Sequence, residues 1–118
     1  MNETTQFLGS QLLHNWSSYN WDNGVQLETL GDLTEIRVQT RNSVYEITVI
    51  DGASREILVR GGQFFPERTP ARLAGSSMGG SFLKIGGIYV GFHMEIVDDS
   101  RTIITSSVQS VAVHSVRS

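Results

Sequence analysis

Apolar and polar side chains alternate with a period of two through residues 34–59. Ile36 and Val38, then Tyr45, Ile47 and Val49, then Ile57 and Val59 take the apolar places, while Arg37, Gln39, Glu46 and Thr48 fall between them. That period marks strands with one buried face. A two-residue turn at Arg41-Asn42 sets Val38 opposite Tyr45, Ile36 opposite Ile47 and Thr34 opposite Val49. A three-residue turn at Gly52-Ala53-Ser54 sets Val49 opposite Ile57 and Ile47 opposite Val59. Both turns put the same side chains inside, so a three-stranded antiparallel meander is expected.

The pattern returns near the end of the chain. Val90, Phe92, Met94 and Ile96 alternate with Tyr89, Gly91, His93 and Glu95, which predicts a strand over residues 88–97. A turn at Asp98-Asp99-Ser100 leads to a second strand over 101–105, Ser106-Ser107 makes a polar corner, and a last strand follows over 108–113. This hairpin, corner and valine-rich strand, about the last thirty residues, resembles the closing section of SH3-like barrels. The resemblance implies a fold and no functional residues.

Between these regions the text is irregular. Pro66 and Pro70 flank Glu67-Arg68-Thr69, which predicts a loop over 63–69 with Phe64 and Phe65 capping an edge of the core. Glycines at 75, 79, 80, 86 and 87 oppose a helix, since each costs about 1 kcal/mol there relative to alanine, and favour bulges, corners or close backbone approach. The first 31 residues read as an acidic leader rich in aromatics, flexible or with a short helix on which Leu8, Leu12, Leu13 and Trp16 share a face. Residues 32–118 read as one β domain. The fold expected is all-β: a small antiparallel β-barrel with an SH3-like ending, or a strongly bent sandwich, of about 6–7 strands.

Charge is distributed unevenly. Residues 1–36 hold Glu3, Asp22, Glu28, Asp32 and Glu35 and no base, whereas 55–84 hold Arg55, Arg60, Arg68, Arg72 and Lys84 against Glu56 and Glu67. The acidic part is expected to lie along the basic part, within one molecule or between two. The overall charge of −3 argues against binding held mainly by nucleic-acid phosphates. With no cysteine there is no disulfide, thiolate metal site or cysteine nucleophile. No secretory signal or membrane-length apolar run is apparent, and a cytoplasmic protein is expected. Eight arginines against one lysine suggest a GC-rich genome.

Four patterns suggest chemistry. Gly75-Ser76-Ser77-Met78-Gly79 matches the G-x-S-x-G nucleophile elbow, with His93 or His114 as base and Glu95, Asp98 or Asp99 as orienting acid. A helix should follow such a serine, and Gly79-Gly80 follows instead. Gly75 and Gly80 have the spacing of a phosphate loop, but Ser81 and Phe82 replace its Lys and Ser/Thr; the backbone, with Ser76, Ser77, Ser81 and Lys84, would offer at most an anion nest. His93 and Glu95 share a strand face and with His114 could make a metal site. Arg55, Arg60, Phe64, Phe65, Arg68 and Arg72 interleave bases with rings as single-strand nucleic-acid grooves do, and Trp16, Tyr19 and Trp21 suit stacking or docking. Ordinary burial and turn formation account for all four. The chain therefore reads as a non-catalytic binding or protein-interaction module without cofactor or metal, acting through residues 61–87 or the leader. Its candidate binding residues are Phe64, Phe65, Arg68, Arg72, Ser76, Ser77, Ser81 and Lys84. A protein partner or a second copy is expected, with a small anionic ligand as a further candidate. The alternatives are a small serine hydrolase using Ser77, and a weak binder of anions or single-stranded nucleic acid through residues 55–87.

Overall fold

The two-residue repeat becomes strands in the register the turns imply. In the computed structural model, which describes Trp16, Tyr19 and residues 21–99 and 101–115, the meander consists of three strands. They are β2 (Glu35–Thr40), β3 (Val44–Asp51) and β4 (Glu56–Gly61), preceded by β1 (Gly24–Gln26) and a 3-10 turn, η1 (Leu27–Thr29). Ile36 pairs with Ile47, Val38 with Tyr45, Ile47 with Val59 and Val49 with Ile57. All seven expected core side chains are buried. The hydroxyl of Thr40 accepts from Ser43 N (3.0 Å) and holds the first turn. The second turn takes four residues, 52–55, and a bulge at Ile50 restores the register. Thr48 is on the outer face as expected, yet Arg68 Nη1 donates to its hydroxyl (2.7 Å) and covers it.

Two strands are much longer than the sequence predicts. Instead of a loop over 63–69, the chain turns at 62–64 and runs as β5 (Phe65–Ser77). The prolines fit because of where they fall. Leu73 N donates to Arg55 O, so hydrogen-bonded pairs recur every second residue and Pro70, opposite Leu58, lies between them. Its missing N–H points away from β4, toward a side with no partner strand among the described residues. Phe65 is wholly buried, whereas Phe64 is 44% exposed, so only one of the two phenylalanines joins the core.

Farther on, β6 (Lys84–Ile85) and β7 (Gly87–Tyr89) precede β8 (His93–Asp98) and β9 (Arg101–His114). The strand expected over 88–97 is thus broken at 90–92, where Phe92 N donates to Tyr89 O (3.2 Å). Ser106 and Ser107 do not interrupt β9; they mark where it changes partners. Ser107 pairs with His93 of β8, and Val108 with Thr40 of β2. In β5, Arg72 makes the same transfer, opposite both Glu56 of β4 and Val97 of β8.

These two transfers close the strands into a ring, β4-β3-β2-β9-β8-β5 and back to β4, with β6 added outside β5. The fold is all-β, consistent with a small barrel or bent sandwich, and β1 and β7 form a separate two-stranded sheet. Inside the ring, the meander's apolar face meets Phe65, Leu73, Met94, Ile96, Ile103 and Val108. Leu27 of η1 is wholly buried in the same core, so the residues from Gly24 onward are integral to it. No helix among the described residues is long and apolar enough to cross a membrane.

Outside the ring, acid meets base. Glu46 lies between Arg60, whose Nε donates to it at 2.9 Å, and Arg37, at 3.5 Å; Glu35 of the acidic part reaches Arg68 of the basic part at 3.7 Å. The hydrogen bonds and charge of Arg60 hold the Glu46 carboxyl below the usual carboxylate range. A lowered folded-state pKa stabilises the fold above the unfolded value, and that contribution fades as pH falls through the folded value. Urea midpoints of wild type and Glu46→Gln are therefore expected to differ slightly at neutral pH and to converge in acid; a gap that stays constant with pH would contradict this pairing.

Candidate functional site

The glycine-rich segment builds its site through close backbone approach. At Gly75 a Cβ would lie 2.0 Å from Lys84 O, so only glycine lets β6 pair there with β5. Next to it, the hydroxyl of Ser76, wholly buried, donates to Gly87 O (2.8 Å) and accepts from Tyr89 N (3.1 Å). One side chain thereby satisfies two backbone groups and fixes β7 beneath β5. The phenol of Tyr89 in turn accepts from Gln26 Nε2 (3.1 Å), and Leu27 N donates to Gly86 O (2.9 Å), which ties η1 to the same floor.

A third segment forms the end wall. Gly52 packs so tightly on η1 that a Cβ would stand 2.4 Å from Leu27 O, and this contact brings the β3–β4 turn, with Arg55, beside Gly86. Arg55 takes a left-handed φ of 64°, and its methylenes lie against Gly86. Its Nε is buried with no protein hydrogen-bond partner among the described residues. An unmet buried donor costs about 1–3 kcal/mol, so this atom is primed for an acceptor.

Together these segments outline a groove between η1 and β6. One part, about 180 Å³, is lined by Gln26, Glu28, Arg55, Ile85 and the backbone at 52, 53 and 86; the adjoining part, about 370 Å³, adds Leu83, Lys84 and Tyr89. Its rim is apolar and unusually bare: Ile85 is 59% exposed and Leu83 43%. Arg55, Lys84 and Glu28 make no ion pair with a described residue. Lys84 Nζ sits 5.1 Å from the ring of Trp21. Trp21 belongs to a cluster of edge-to-face rings with Trp16, Tyr19 and Tyr89, and Phe92 packs on it tilted, centroids 4.6–5.1 Å from Trp21. The described aromatics of the leader thus dock on the β body; the leader's expected helix face at Leu8, Leu12 and Leu13 lies outside the described residues.

Of the residues singled out in the sequence, Arg55 and Lys84 line this groove, and the other candidate binding residues do not converge on it. Phe65 is core, and Phe64 stacks under Arg101 at 5.5 Å on another side. Arg68 is engaged with Thr48 and Glu35, Arg60 with Glu46, and Arg72 is exposed on β5. Ser81 is an exposed turn residue whose carbonyl accepts from Met78 N. Ser77 is fully buried, its hydroxyl accepting from Gly79 N (3.3 Å) and Gly80 N (3.2 Å), so the nest predicted for an anion closes on its own side chain. His93 is the cross-strand partner of Ser77, yet no hydrogen bond joins them; its Nδ1 is 2.7 Å from Thr105 O. His114 pairs with Glu35 at the far end of β9. The described residues hold no cluster of three metal-ligating side chains. Ser100, of the expected turn, lies outside the described residues.

Sequence reasoning missed Gln26, Glu28, Leu83, Ile85 and Tyr89. A signal existed for Leu83 and Ile85: Phe82-Leu83-Lys84-Ile85 stands between two glycine pairs, too short a strand to bury both apolar faces. Compared with known proteins, the chain matches no family model, no curated protein and no solved structure.

The floor depends on one hydroxyl. Ser76→Ala leaves Gly87 O and Tyr89 N without a partner and is expected to cost about 1–3 kcal/mol in urea unfolding, with faster amide exchange at Tyr89. Unchanged stability and exchange would show that the hydroxyl is not what fastens β7.

Proposed function

We propose that this protein is a non-catalytic interaction module that holds an extended segment of a partner protein in the groove between η1 and β6. The observation that supports it most is the buried, unpartnered Arg55 Nε in the part of the groove lined by the bare side chain of Ile85, with exposed Leu83 in the adjoining part. A donor without an acceptor and apolar surface without a cover are both relieved by one kind of ligand: a chain with a carbonyl or carboxylate for Arg55 and apolar side chains for the rim. The shape agrees. The rim leaves a ligand partly in water, unlike sites that enclose a small molecule. Glu28, Lys84 and Arg55 along one trough favour a partner of mixed charge over a polyanion, and Arg60 and Arg68 are already engaged by Glu46 and Glu35.

Peptides selected on the full chain from a random display library, then titrated against variants, test the proposal. Arg55→Gln and Ile85→Asp are each expected to weaken the selected peptides about tenfold or more, in proportion to a lost hot-spot contact. Selected peptides that bind both variants as tightly as wild type would place recognition elsewhere.

A further inference from the structure

Among the described residues the ring leaves strand margins open where β5 and β9 change neighbours, and two of them, one on each strand, are treated differently. The N-terminal half of β5 carries Pro66 and Pro70, with Glu67, Arg68 and Arg72 among them. Proline and charge on an edge are standard protection against another strand. The C-terminal half of β9 pairs with β2 on one side, and among the described residues no strand pairs with its other side beyond Val108. Val108, Gln109, Ser110, Val111, Ala112 and Val113 include neither proline nor charge, and all but Val108 and Val111 are exposed.

The register shows which backbone groups are open. Thr40 N bonds to Ser43 O across the first turn, so the groups of Val38 and Ile36 point toward β3 and those of Gln39 and Arg37 toward β9. Their partners, Ser110 and Ala112, therefore bond inward. The N–H and C=O of Val111 and Val113 point outward.

We infer that this margin is a self-association site at which the β9 strands of two copies pair antiparallel about a two-fold axis at Ala112. This register places Val111 opposite the partner's Val113 and makes four backbone hydrogen bonds, two for each such pair. Ala112 meets Ala112 of the partner subunit at the close, non-hydrogen-bonded position. His114 falls opposite Ser110 of the partner subunit, so no like charges face each other. The nearest charged neighbour of Ala112 on the same face is Arg37 on β2, already paired with Glu46. Across the axis two such arginines stand three strand spacings apart, roughly 14 Å, beyond the screening length at physiological salt. A second copy is the occupant because β9, paired with its own copy about Ala112, sets no like charges opposite one another and brings no proline into the ladder. The interface is separate from the groove and does not depend on its ligand.

The absence of cysteine makes the test clean. Full-length wild type is expected to sediment in concentrated solution at twice its 13.0 kDa mass. Ala112→Lys, which puts two cations at the axis but leaves an exposed side chain of the monomer exposed, is expected to sediment as a monomer with an unchanged circular dichroism spectrum. In Ala112→Cys the two thiols meet at a Cα separation of about 4.5 Å, within disulfide reach, and mild oxidation should cross-link it about tenfold or more faster than Thr102→Cys on the other half of β9. A wild-type monomer at every concentration, a dimer that survives Ala112→Lys, or equal cross-linking of the two cysteine variants would each overturn the inference.

Discussion

The structure depends on one constraint: a single apolar core has to be enclosed by strands, and no three-stranded meander encloses anything. The face made by Ile36, Val38, Tyr45, Ile47, Val49, Ile57 and Val59 is buried only because β5 and β9 leave the meander's margins and carry β8 between them across the other side. Each long strand bonds first to one neighbour and then to another, and each changes over at a single place, Arg72 or Ser107-Val108. Closure removes most of the open edge that a flat sheet would expose. The remaining margins are where each strand has left its first neighbour or not yet met its second.

The same changeovers generate the surface. Once β5 turns away from β4 it comes alongside β6, and Gly75 and Ser76 fasten β6 and β7 there at backbone contact. That leaves β6 with too few residues to bury Ile85 or Leu83, and η1, anchored by Leu27, stands opposite as the other bank. The β3–β4 turn closes the end because Gly52 sits on η1. Groove and core are thus consequences of one topology, and the bare donor on Arg55 is a cost the fold carries at the groove's end wall.

How much of this could be read from the residues follows from the range of the interactions. Residues 34–59 were legible because both turns are local: a two-residue connection at 41–42 fixes the register without help from the rest of the chain, and a wrong length for the second turn was absorbed by a bulge at Ile50. The prolines misled because proline in a strand is excluded only where its N–H is needed, and Pro70 stands where it is not. Ser106-Ser107 looked like a break because a change of partner needs no change of backbone. The groove was least legible. Its walls come from residues 26–28, 52–55 and 83–89, and no local pattern relates three segments so far apart; of its lining only Lys84 stood among the candidate binding residues and Arg55 in the basic series, while Ser76 and Ser77, chosen as ligands, serve the backbone.

Native-state amide exchange tests the closed ring most directly. If β5 and β9 join the meander and β8 into one structure, the amides that bond between β2, β3 and β4 and those that bond between β8 and its neighbours will open together, with one free energy and one response to denaturant. Protection of residues 36–59 that is lost at markedly lower denaturant than that of residues 94–103, or the reverse, would mean two independently opening sheets and would contradict the shared core.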